Sequence, residues 1–253
     1  MPEKNRALHV EAHGQGSALL LTPGFGATTR MWDEQVEEFT DRHQLILWDL
    51  PGHGESPAPD AMAPDTPVRH MAAILDGKKI RRAVLMGLGF GGLLSLRFWR
   101  AYPDRVRGLI LIGTQPGLRS AATRALANAQ VEAQARALET HGLDALEGGA
   151  EADPRLHANA NALAAAARAL LIQTDPGALP WLAEIDVPTL ILAGGDDKPN
   201  LSAAHYMARV IPGARAIVVP RANHAANLHK PNAVNAAAAV FLGRLRDQWP
   251  VDE

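Results

Sequence analysis

The chain of 253 residues has no cysteine. That excludes disulfides, thiolate metal ligands and a cysteine nucleophile together, and it leaves the redox compartment open. An excess of one charge is missing too. The net charge is -2, with acidic and basic residues interspersed, so no field exists to recruit nucleic acid or an anionic membrane. No apolar run approaches the length of a membrane span. The amino-terminal Met1-Pro2-Glu3-Lys4-Asn5-Arg6 is charged, with no apolar stretch behind it, so no signal peptide is visible and the expected location is cytoplasmic. The histidines show no H-E-x-x-H or comparable spacing, and neither a metal nor an organic cofactor is expected. A small, apolar or weakly polar molecule is the partner these exclusions leave. The length suits a single α/β domain with room for an insertion.

What is present is organised around Ala83-Val84-Leu85-Met86-Gly87-Leu88-Gly89-Phe90-Gly91-Gly92. The run 83–88 reads as a buried parallel strand, and the sequence beyond Gly92 has helical spacing, so the glycines fall in a sharp strand-to-helix turn. Gly87-x-Gly89-x-x-Gly92 is literally the dinucleotide fingerprint G-x-G-x-x-G. That reading demands an acidic residue at the end of the next strand. The run 108–112 ends in Gly113-Thr114-Gln115, and Asp104 lies before it. A dinucleotide-binding oxidoreductase is therefore the remote alternative.

Residues 8–12 alternate apolar and polar side chains, as an edge strand does, and further strand-like runs lie at 18–21, 44–48, 187–193 and 214–219. Helical stretches separate them. One opens near Thr28 or Thr29, with those threonines as natural N-caps. Another covers 68–77 and ends at a glycine C-cap, after a surface loop over 57–67. The helix beyond the glycines runs to about Tyr102 and stops before Pro103. This alternation predicts a doubly wound, mainly parallel sheet. It is interrupted over 116–180, where alanine-rich helical sequence at 121–140 and 158–173 contains no strand-like run. Aromatic and charged anchors are few there, so substrate preference cannot be read from it.

Five separated stretches, in order, resemble the α/β-hydrolase family. Pro23-Gly24-Phe25-Gly26 looks like its His-Gly-x-Gly turn, with proline for histidine. Asp49-Leu50-Pro51-Gly52-His53-Gly54-Glu55-Ser56 is similar to a turn carried by its esterases and lactonases. Gly87-Leu88-Gly89-Phe90-Gly91 resembles the nucleophile elbow G-x-S-x-G with glycine at the serine position. Gly194-Gly195-Asp196-Asp197 looks like the turn bearing the acid, and the loop from Pro220 to Pro231 resembles the one bearing the histidine. Small esterases, 3-oxoadipate enol-lactone hydrolases and cofactor-free haloperoxidases are the nearest in flavour.

The resemblance implies an α/β-hydrolase core over 1–115 and 181–253 with a helical cap over 116–180. It implies Asp197 rather than Asp196 as the acid, from the G-x-x-D spacing, and His224 as the active-site histidine. The backbone N–H groups of Phe25 and Phe90 would form the oxyanion hole. His53 and Ser56 are expected to be structural, and His229 to stand at a helix start. Ser95, about two turns into its helix, is carried away from the strand end and cannot replace the nucleophile. The implied substrate is a small ester, a lactone or a related carbonyl compound.

Gly89 has no hydroxyl for His224 to deprotonate, which excludes acyl-enzyme chemistry at that position. Three explanations stand side by side. A working hydrolase has been inactivated by replacement of its serine; or His224 activates water or moves a substrate proton directly; or the protein is a non-catalytic binder of small molecules that keeps the pocket. Retained catalytic parts favour an enzyme over a binder.

Overall fold

The structure, a computed structural model, describes residues 7–58 and 62–248. Strands β1 (Val10–His13), β2 (Ser17–Thr22) and β3 (His43–Trp48) come first, with α1 (Asp33–Phe39) between the last two. Then follow α2 (Thr66–Gly77), β4 (Ala83–Leu88), α3 (Phe90–Ala101) and β5 (Val106–Ile112). Two helices, α4 (Ala121–His141) and α5 (Ala160–Leu171), precede β6 (Thr189–Gly194). The chain closes with α6 (Lys198–Val210), β7 (Arg215–Val219), the short α7 (Ala226–His229) and α8 (Pro231–Gln248).

The strands form one sheet in the order β1-β3-β2-β4-β5-β6-β7. Only β1 runs antiparallel to its neighbour; all other pairs are parallel. This is the doubly wound, mainly parallel sheet that the alternation of elements predicts. Central strands buried on both faces must be apolar throughout, and successive side chains then go to opposite cores. Leu20, Ile46, Leu85, Leu109 and Ile191 pack with Met71 and Leu75 of α2, Phe98 of α3 and Met207 of α6. Their neighbours Leu19, Leu45, Val84, Ile110 and Leu192 pack with Phe39 of α1 and Val234 and Leu242 of α8. Strand order reverses between β2 and β4, so the turns after these two strands stand side by side. A crevice at such a switch point, beyond the carboxyl ends of the strands, is where open α/β sheets place ligands.

Among the described residues, 113–188 supply no strand. Helices α4 and α5 pack on each other through Ala135, Leu138, Leu163 and Ala167, and Phe25 from the turn after β2 packs against that cluster. Arg168 of α5 bonds Glu132 of α4 at 2.8 Å and also reaches Glu139.

Three local expectations need correction. Neither Thr28 nor Thr29 caps a helix with its side chain. Residues Thr29–Trp32 make a 3-10 turn with Thr28 at its N-cap position but no side-chain cap bond, while the Thr29 hydroxyl donates to Glu11 at 2.7 Å and its N–H to Asp49 at 2.8 Å. Helix α2 starts at Thr66, inside the expected loop, since Pro67 suits a first helical turn; residues 59–61 of that loop lie outside the described residues. The helix does end at Gly77, but the left-handed residue that follows it is Lys79, with φ 59°.

Candidate active site

The chain turns at Gly89 from β4 into α3 with φ 54° and ψ -112°. An L side chain is strained at such a positive φ and glycine is not. The Gly89 N–H donates to Ile112 O at 2.8 Å, which ties the turn to the end of β5. The neighbouring glycines have a packing cause. A Cβ on Gly87 would stand 2.4 Å from the backbone of Gly91, and one on Gly92 would strike the Thr114 hydroxyl. Close strand-to-helix packing thus accounts for the G-x-G-x-x-G string, without a pyrophosphate.

His224 comes over this turn from the loop after β7. A Cβ on Gly89 would lie 2.8 Å from His224 Nε2 and 3.1 Å from Cε1, and one on Gly113 would lie 2.9 Å from Nδ1. The imidazole therefore rests on two glycines at adjacent strand ends, close enough to Gly89 that a side chain there would require the ring to shift. Behind it, Nδ1 is 3.3 Å from Asp197 Oδ2. Asp197 is largely buried, with 10% of its side chain exposed against 38% for His224. Asp196 is exposed.

Sequence reasoning missed Asn200. It lies in the first turn of α6, three residues after Asp197, a spacing that brings side chains together. Its Nδ2 donates to Asp197 Oδ2 at 2.6 Å and lies 3.2 Å from His224 Nδ1. One imidazole nitrogen cannot donate to Asp197 and accept from Asn200 in the same tautomer. The Nδ1–H tautomer keeps the Asp197 bond and leaves an Nε2 lone pair for the Gly89 side.

Phe25 and Phe90 sit in the two side-by-side turns, and among the described residues neither backbone N–H has a hydrogen-bond partner. Ser56 donates to Asp49 O at 2.8 Å and accepts from His9 N–H at 3.0 Å. Ser95 donates to Gly91 O at 2.9 Å inside α3. His229 ends α7 rather than starting a helix, and its Nδ1 accepts from Asn223 N–H at 3.1 Å.

A second histidine cluster supports the turns from behind. His157, between α4 and α5, donates from Nε2 to Gly26 O at 2.9 Å and accepts at Nδ1 from Gly54 N–H at 3.0 Å. It thereby staples the helical segment to the turns after β2 and β3. His53 is fully buried, donates to Pro51 O at 3.1 Å and meets the Phe25 ring edge-on at 4.6 Å. Burial pushes His53 down to about 3 and lowers His157, His43 and His70 as well.

These four hold fewer protons in the folded chain than in the unfolded one, where histidine titrates near 6.5. Their contribution is complete above about pH 6.5 and falls as pH drops, for His53 down towards 3. His9 opposes them: burial, the largest single influence, lowers it, but its bond to Glu11 and the charges of Asp49, Glu55 and Glu11 together raise it. Unfolding between about pH 5.5 and 6.5 is therefore expected to take up protons. Calorimetry in buffers of different ionisation enthalpy measures this, and net proton release would contradict the burial of these rings.

The model of the alpha/beta hydrolase family matches residues 19–237, and the chain belongs to that family. It is 31% identical to a putative carbamate hydrolase, RutD, of Pseudomonas savastanoi pv. phaseolicola, over 88% of this chain and 93% of that one. Its fold is similar to that of MenH from S. aureus, with TM-score 0.86 and 26% identity over 94% of this chain and 99% of the other. A thermophilic esterase from Thermogutta terrifontis is similar as well, with TM-score 0.81 and 27% identity over 94% and 93%. No helix among the described residues is long and apolar enough to cross a membrane.

Proposed function

We propose that the protein hydrolyses a small ester, lactone or related carbonyl compound without an acyl-enzyme, with His224 as the general base. One observation carries this reading: Nε2 lies 2.8 Å from where a Cβ of residue 89 would stand, and Gly89 puts no side chain beneath it. In the reaction, water attacks the carbonyl carbon and gives a proton to Nε2. Charge gathers on the carbonyl oxygen, facing the N–H groups of Phe25 and Phe90. Collapse breaks the bond to the leaving alkoxide, which takes the proton back from Nε2. Asp197 holds the Nδ1–H tautomer and Asn200 holds the Asp197 carboxylate. The helical segment 116–180 acts as the cap that shapes the substrate space. Relatives named as a carbamate hydrolase and an esterase support hydrolysis of an acyl group.

A second reading, a binding protein without turnover, is favoured by the same tight seat of the ring, which leaves a water no room directly beneath Nε2. Hydrolysis of p-nitrophenyl acetate and a panel of lactones separates the two. The expected result is slow turnover with no initial burst, falling about a hundredfold or more on His224→Ala. Saturable binding with no turnover above the buffer rate would give the protein to the second reading.

A further inference from the structure

A groove of about 500 Å³ runs between α2, the later turns of α3 and the segment that follows α5. None of Phe25, Gly89, Phe90, Asp197 and His224 lines it. Arg97, which does, lies about 12 Å along α3 from Gly89 at about 1.5 Å per residue. Its guanidinium is mostly buried, and its Nη1 is closed off from solvent with no acceptor among the described residues. Burial depresses its pKa even though Asp175 and Asp65 work the other way.

The neighbouring charged groups are already engaged. Arg69 bonds Thr66 at 3.1 Å, Arg100 pairs with Glu184, and Asp175 accepts from Gly177 N–H at 2.7 Å. Among the described residues Arg97 makes no direct bond of its own, although the charges of Asp175 and Asp65 favour its cationic form, and a buried donor without an acceptor is costly. Beside it the groove offers apolar surface from Val68, Ile172 and Trp181.

We propose that this groove is a second ligand site, for a small organic monocarboxylate with an apolar or aromatic body. The carboxylate pairs with the Arg97 guanidinium, whose planar fork suits two parallel bonds to it. The body lies against Val68, Ile172 and Trp181. Asp65 and Asp175, both lining the groove, select a singly charged head over a dianion by repulsion.

Calorimetric titration of the full chain with benzoate tests this, with benzyl alcohol and phenyl phosphate as comparisons. Saturable benzoate binding is expected, weaker by about tenfold to a hundredfold in Arg97→Met and unchanged in His224→Ala. Benzyl alcohol should not bind, and phenyl phosphate should bind more weakly than benzoate. Arg97→Met should fold, since it replaces a half-buried side chain whose Nη1 has no acceptor by an apolar one of similar length. If it does not, Arg97→Lys, which keeps the charge but lacks the fork, should show a similar loss. Absence of saturable benzoate binding overturns the proposal, as does binding that survives the Arg97 variant. Binding lost in His224→Ala but kept in the Arg97 variant would place benzoate at the Gly89 site. Tighter binding of phenyl phosphate would overturn the choice of a monoanion.

Discussion

Hydrolysis of a small activated ester is expected to rise by several orders of magnitude in Gly89→Ser. Loss of the nucleophile from a serine–histidine–acid site costs on the order of a million-fold, and the remaining parts of such a site are geometric. The new Cβ meets only the far end of the His224 side chain at close range; its next neighbour, Gly113 O, is 4.0 Å away. A small withdrawal of a ring that is already partly exposed admits the serine and brings its hydroxyl to Nε2. The positive φ should cost about 1–3 kcal/mol of stability, visible as a lower midpoint in urea. The variant should also label with an organophosphonate serine probe, and the Gly89 chain should not. If Gly89→Ser folds but neither labels nor hydrolyses esters and lactones, the site is not a serine hydrolase lacking its nucleophile. A binding or proton-transfer role then leads.

Gly91→Ala should be strongly destabilising. Its Cβ would stand 2.2 Å from Thr22 O and 2.5 Å from Pro23 O, backbone atoms of the turn that carries Phe25. Neither side of that contact is a flexible side chain, so α3 must be pushed away from β2. Overpacking typically costs about 1–3 kcal/mol, and a clash between two backbones belongs at or above the top of that range. Gly243→Ala is the control. A Cβ there meets nothing within 4 Å in the middle of α8, and removing a helix-interior glycine should stabilise by about 1 kcal/mol. Urea unfolding of both variants measures the contrast. Equal stabilities would mean that the helix and the turn are not in the contact described.

The strands and the family's turns were legible because their signals are local: apolar runs of strand length, then glycine and aspartate at the turn. The helices α4 and α5 were legible for the same reason, since alanine-rich sequence without strand-like runs leaves no rival structure. Other features depend on distant partners. The staple of His157 joins residues 103 and 131 positions away, and nothing around it in the sequence marks it. Thr29 looked like a helix cap, but Glu11 and Asp49 take both its polar groups. Asn200 was within reach of a helical spacing argument, yet its neighbour His224 enters from 24 residues later. Arg97 reads as one more cation on a helix until α2 and the segment after α5 close over it.

The seat of His224 on Gly89 and Gly113 also bears on how position 89 would drift under mutation. Deleting a side chain ordinarily leaves a void, which costs roughly 24 cal/mol for each Å³ that stays unfilled. Here His224 Nε2 comes within 2.8 Å of where a Cβ would stand, so the void and its cost are reduced. Glycine further relieves the strain of an L residue at φ 54°. Stability therefore exerts no pull back towards serine, and only selection on chemistry could hold a serine at this turn.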